Sequence, residues 1–200
     1  MFALILPRWA VPRPTFRQDH GAVGVIEHWN RILAWLAEHA PATRAVLRPR
    51  YDALPDLRVP IDLQLWWSVY GGTEEGLFAE ILPPFYTPLG ADRAFVLRET
   101  HVSKPVDSSE AGAPTSGFHP EWLPIAFDGT GDVLAVDLRP GVLRGCVVEW
   151  DQERNEMVKP EWTSIAEMFD QVATALETRS GVGHCFPEVN TAGELGWRTN

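Results

Sequence analysis

Cysteine is scarce in this chain. Cys146 and Cys185 are the only two, and they stand at no motif spacing. A disulfide framework and a Cys-x-x-Cys zinc or redox site are therefore both unsupported. No apolar run approaches the roughly 18–20 residues of a membrane-spanning helix. Residues 1–6 are apolar, but Pro7 and Arg8 stop them, and no basic lead-in or small-residue cleavage pattern accompanies them. The expectation is a chain without a secretory signal, in a reducing cytoplasm. The six histidines fall at no metal-ligand spacing, and G-x-S-x-G, Walker and dinucleotide fingerprints are missing. Neither a cofactor nor a metal is expected, and no internal repeat divides the chain.

What is present is acid, tryptophan and proline. The 200 residues carry a net charge of −10, with nine Trp and seventeen Pro. This length suits one domain that buries a core without staples. The charge is uneven. Residues 1–60 hold eight Arg against five acids, residues 61–120 three bases against eight acids, and residues 121–177 four bases against twelve. An acidic surface repels nucleic acid and attracts basic partners, although acid also serves plain solubility. Nucleic-acid binding is not expected despite the N-terminal arginines.

Periodicity places the elements. Residues 1–22, with Pro7, Pro12 and Pro14, read as an N-terminal arm, and residues 23–200 as the domain. Val25, Trp29, Ile32, Leu33 and Leu36 recur at helical steps, which predicts a helix over 25–38. A second helix is expected over 61–70, opened by Pro60 and closed by Gly71-Gly72 as a left-handed cap. "ILPPFYTPL" (81–89) must be extended or looped, residues 92–100 can be helical, and 103–120 read as a loop. Strand signals follow up to Phe127, then over 133–138, 146–150 and 157–158. Ser164-x-x-Glu167 opens a helix over 165–177, and "GELGW" (193–197) suits an edge strand. Helices, then antiparallel strands, then a helix indicate an α+β fold with a central antiparallel-rich sheet flanked by helices.

The acidic turn Asp128-Gly129-Thr130-Gly131-Asp132 lies between two of those strands. It lacks the alternating ligands and closing Glu of a calcium loop. Its glycines suit a tight reversal, and Asp128 can cap the turn's own amides. Its carboxylates also extend an acidic surface, with Glu149, Asp151, Glu153, Glu74 and Glu75 as further candidates for contact with a partner. Asp128, Asp132, Glu149 and Asp151 are also candidates for a carboxylate-based hydrolase, if a cleft holds two of them apart, but the capping of turn amides is the stronger reading. Trp66 and Trp67 are adjacent on one helix and are not expected to share the core fully, so Trp66 is a candidate interface residue.

Residues 122–169, "WLPIAFDGTGDVLAVDLRPGVLRGCVVEWDQERNEMVKPEWTSIAEMF", resemble the central signature of the Smi1/Knr4 (SUKH) superfamily. The resemblance rests on Trp122, Pro124, Asp128, Gly129, Gly131, Asp132, Asp137, Pro140, Gly141, Gly145, Trp150, Asp151 and Phe169. "VPIDLQLWWSVYGGTEEG" resembles a second element through Pro60, Asp62, Leu63 and Gly72, and "WNRILAWL" resembles the first helix. In this family's terms Gly72, Trp122, Pro124, Gly129, Gly131, Gly141, Gly145, Trp150 and Phe169 are structural. The resemblance implies a single SUKH-like domain that binds protein and is not an enzyme. Bacterial members are commonly immunity proteins that neutralise polymorphic toxins, many of them nucleases with basic faces. A fungal branch regulates cell-wall synthesis through protein contacts, which is the alternative.

Overall fold

A computed structural model describes residues 20–50, 59–101 and 110–200. Most of the expected arm, residues 1–19, lies outside the described residues, as do 51–58 and 102–109; residues 20–22 are already helical. The helices are α1 (His20–His39), α2 (Pro41–Ala45), α3 (Ile61–Val69), α4 (Ala91–His101) and α5 (Ile165–Thr178). The strands are β1 (Leu47–Pro49), β2 (Tyr70–Thr73), β3 (Thr87–Pro88), β4 (Thr115–Ser116), β5 (Trp122–Phe127), β6 (Val133–Asp137), β7 (Val147–Trp150), β8 (Glu156–Met157), β9 (Pro160–Trp162), β10 (Cys185–Val189) and β11 (Leu195–Thr199).

The architecture is α+β. A five-stranded sheet runs in the order β3-β5-β6-β7-β9 with every neighbouring pair antiparallel. Val133 faces Trp150 and Val136 faces Val147, so the two expected central strands do pair. Three two-stranded ladders, β1–β2, β4–β8 and β10–β11, surround it. Pro124 sits in β5 where β3 does not reach, since β3 pairs only with Ala126 and Phe127. A proline is tolerated where a strand lacks a second neighbour.

Alternation along the strands builds two cores. Leu123, Leu134, Val136 and Val147 face a layer made by α1, α3 and α5. Trp122, Val133, Ala135, Val148 and Trp150 face the other way, against Phe118 and Met157. Helix α1 buries Val25, Trp29, Ile32 and Leu36, and α5 buries Ile165, Met168, Phe169, Val172 and Leu176, each at three- and four-residue steps. On the rim Arg31 bonds Asp170 at 2.8 Å and Glu177 at 2.6 Å, tying α1 to α5. Ser164 caps α5 by accepting the Glu167 N–H at 3.1 Å, while the Glu167 carboxylate returns to the Thr163 N–H at 2.8 Å.

Two expectations about α3 need correction. The helix ends at Val69, and Tyr70 is extended, so Gly71 and Gly72 form a strand and not a helix cap. The glycines serve close approach instead: a Cβ on Gly72, at φ +108°, would lie 3.3 Å from the Gly90 N, one on Gly71 would lie 3.1 Å from the Pro49 carbonyl, and Gly90 in turn has no room for a Cβ against the Gly71 backbone. Trp66 and Trp67 are both fully buried. The helix is covered on two sides. Trp66 packs on Trp29 and Phe169 with ring centroids 5.6 and 5.0 Å away, and Trp67 donates to the Leu89 carbonyl at 2.9 Å.

Candidate protein-binding face

The turn at 128–132 is built by one carboxylate. Asp128 Oδ1 accepts the amides of Thr130, Gly131 and Asp132 at 2.8, 2.8 and 3.0 Å, and its Oδ2 accepts the Thr130 hydroxyl. Burial works against ionisation of Asp128, but those donors outweigh it and hold the carboxyl below its usual range. Gly129 and Gly131 supply φ values of +85° and +136°. Asp132 Oδ1 accepts the Gln152 N–H at 2.8 Å, which joins this turn to the one at 151–155. Burial, then the charges of Asp128, Asp151 and Glu153, push Asp132 up against that bond. Asp151 in turn caps the Arg154 N–H at 2.8 Å. The acids of the two turns thus lie together at one end of the sheet.

Glu149 occupies the sheet face below them. It is half-buried and accepts the Tyr86 hydroxyl at 2.5 Å. Burial raises its carboxyl, and the charges of Glu161, Asp132 and Asp151 add to this against the Tyr86 bond. A cleft of about 440 Å3 opens beside it, between Glu149, Glu161, Trp162 and His184.

Glu74 and Glu75 stand across an aromatic ridge from the turn. Phe78 packs on Phe127 at 5.6 Å, and its ring lies 3.0 Å from where a Cβ on Gly129 would be. A cleft of about 280 Å3 runs between this ridge, Glu74, Glu75 and the Arg93 guanidinium, which sits 5.9 Å over the Phe127 ring. The side chains of Glu74, Glu75 and Glu153 have no hydrogen-bond or ion-pair partner among the described residues. Leu77, Phe78 and Phe85 are 44%, 54% and 49% exposed. Solvent-facing aromatics of this size favour interfaces.

Trp66 is corrected from interface to core, for the reason given above. Phe78 takes its place; sequence reasoning missed it because one Phe in "EEGLFAEI" breaks no period. Trp122, Trp150 and Phe169 are buried at 0%, 5% and 0% exposure. Gly141 and Gly145 hold φ +130° and +96° around the turn that follows β6. That turn is fixed by a buried ion pair. Arg139 and Asp137 are both fully buried, with Nη2 to Oδ2 at 2.7 Å. Asp137 also accepts the Gly112 amide at 2.9 Å, and Arg139 donates to the Ala113 carbonyl at 2.9 Å. Burial would raise Asp137, but the bonds from Arg139 and Gly112 dominate and hold it low.

Few of these groups converge as catalysis requires. Asp128 spends both oxygens within its own turn. Both cysteines are buried, and burial pushes the Cys146 thiol up to about 11, which suppresses the thiolate. Among the described residues no group of three or more His, Cys, Asp and Glu is placed to hold a metal ion, and no helix is long and apolar enough to cross a membrane.

The fold and this face define an α+β domain that presents acid and aromatic surface across shallow clefts. A sequence model of the SMI1 / KNR4 family (SUKH-1) matches residues 53–171, more than half of the chain, and the chain belongs to that family. No curated protein matches it. The matched span contains the turn, the ridge and α3, and leaves α1 and the β10–β11 hairpin outside.

Proposed function

We propose that this protein is an immunity protein, which neutralises a cognate polymorphic toxin by direct binding and without catalysis of its own. The toxin is a nuclease with a basic face, met in the cytoplasm. Family membership supports the reading. The observation that carries it is the pair Glu74 and Glu75 beside exposed Phe78, with exposed Glu153 in the neighbouring acidic turn, all three carboxylates without a partner among the described residues. Rim charges of this kind steer association, and exposed aromatics supply the contact that holds. The acids that build turns, Asp128, Asp132 and Asp151, add field without being free to rearrange.

The test starts from a partner captured on the immobilised protein from the cells that encode it. The partner's cleavage of nucleic acid is then measured against increasing amounts of this protein. Stoichiometric loss of cleavage is expected. A captured partner that cleaves no nucleic acid, or cleaves it undiminished with the protein in excess, would contradict the reading.

A further inference from the structure

The Phe78 ridge has a second side. There it borders a cleft of about 390 Å3 between Phe78, Glu80, Glu188, Glu194, Leu195 and Gly196. That volume falls near the lower end of small-ligand sites, about 300–1,000 Å3, and fits a side chain better than a helix. Glu188 stands opposite Gly196 in the β10–β11 register, and Glu194 lies two residues before Gly196 on the same face. A Cβ on Gly196 would lie 4.0 Å from Glu80 Oε2, so the bare glycine leaves open the space that the three carboxylates surround. Among the described residues, Arg, Lys and His are absent from the lining of this cleft.

The walls are fixed although the surface is exposed. The Ala79 N–H donates to the buried Thr87 hydroxyl at 3.0 Å, and the Trp197 indole N–H donates to the Glu80 carbonyl at 3.0 Å. The hairpin is pinned to α2 by the Leu195 N–H on Thr43 Oγ1 at 2.8 Å and the Ala42 N–H on the Gly193 carbonyl at 3.0 Å. Phe78 is therefore an exposed ring on an immobilised backbone. Such a surface binds without first having to be ordered.

We propose that exposed Phe78 and this acidic cleft form a docking seat for a basic protein segment, with one arginine side chain of the segment inserted over Gly196 between Glu80, Glu188 and Glu194 and stacked on Phe78. Charge complementarity selects the occupant. Arginine fits better than lysine because its planar guanidinium can meet carboxylates in forked geometry while lying on an aromatic face. Burial and the Glu194 charge both raise the Glu80 carboxyl, which is the state a cation would relieve. The hairpin wall lies outside the matched family span, whereas Phe78 and Glu80 lie inside it. The inference rests on the proposed function only for whose segment it is.

The full chain is titrated with the peptide acetyl-Leu-Arg-Arg-Leu-amide and followed through its amide NMR spectrum. Saturable shifts at Phe78, Glu80, Leu195 and Gly196 are expected. Gly196→Lys, which places a tethered cation in the cleft, should weaken binding at least tenfold with the rest of the spectrum unchanged. Glu188→Gln, on an exposed strand position, should weaken it several-fold and covers the case in which Gly196→Lys fails to fold. A glutamate twin of the peptide should give no shifts, and a lysine twin should bind several-fold more weakly. Undiminished binding to both variants would overturn the seat, and a lysine twin that binds equally well would overturn its assignment to arginine. Shifts confined to residues 74–75 and 151–154 would overturn the seat and leave the acidic-face reading standing. Shifts at the seat, with a captured partner that is not inhibited, would retain the seat and remove that reading.

Discussion

Asp137→Ala removes one member of an ion pair in which both side chains are fully buried. The Arg139 guanidinium would keep its charge and lose its bonds to Asp137 Oδ1 and Oδ2. Breaking a buried pair from one side costs about 3–5 kcal/mol, because the remaining charge stays desolvated. The Gly112 amide loses its acceptor as well. For a domain of this size each kcal/mol moves the melting temperature by roughly 2–4 °C, so a drop of about 6–20 °C is expected. Replacing both residues together, Asp137→Leu with Arg139→Met, should recover most of the loss, since no charge is then left inside. The pH dependence has a definite sign. Asp137 is held below its unfolded value, so its contribution is fully present above the ordinary carboxylate range and disappears as pH falls through the depressed folded value. The gap between wild type and Asp137→Ala should narrow in that acid window. Urea or thermal unfolding at neutral and acid pH measures all of this. A loss below about 1 kcal/mol at neutral pH, or a gap that stays constant into acid, would show that the pair is hydrated.

Glu149→Gln should stabilise the protein at neutral pH, because the native carboxylate is raised by burial and by neighbouring acids; the gain should vanish below the ordinary glutamate range, where both states are protonated. Thermal melts at two pH values check this. Trp150→Ala should cost about 3–5 kcal/mol in urea unfolding, since the ring is 5% exposed and packs edge-on against Phe118 at 5.4 Å. Gly90→Ala should destabilise by more than a surface substitution does, because its Cβ would meet the Gly71 backbone, which cannot yield as a side-chain tip can.

Much of the framework was legible as period. The stripes of α1 and α5 and the apolar runs of β5, β6 and β7 each declare one or two buried faces within a dozen residues. The Asp-Gly-Thr-Gly-Asp turn was legible as a reversal. The two burial partners of α3 were not, because nothing in "DLQLWWSV" states that a helix is covered from two directions. Its C-terminal glycines carried the correct message of unusual backbone, but the reason lay at Gly90, distant in sequence. The acids at 121–177 and at 74–75 showed as local excess of charge. Glu80, Glu188 and Glu194 did not, since the end of the chain is balanced in sequence and the fold alone brings these three together.

In the proposed function, Glu74 and Glu75 beside the aromatic ridge and Glu153 in the adjoining acidic turn bring a basic partner to this face. The most direct test is the association rate of the captured partner against ionic strength, for wild type and for Glu74→Lys/Glu75→Lys/Glu153→Lys. These three side chains are exposed and hold no partner among the described residues, so the fold should be retained. Wild-type association should fall steeply with salt, and the triple variant should associate at least tenfold more slowly at low salt with a flattened or inverted salt slope. Identical rates and slopes for the two proteins would contradict the account.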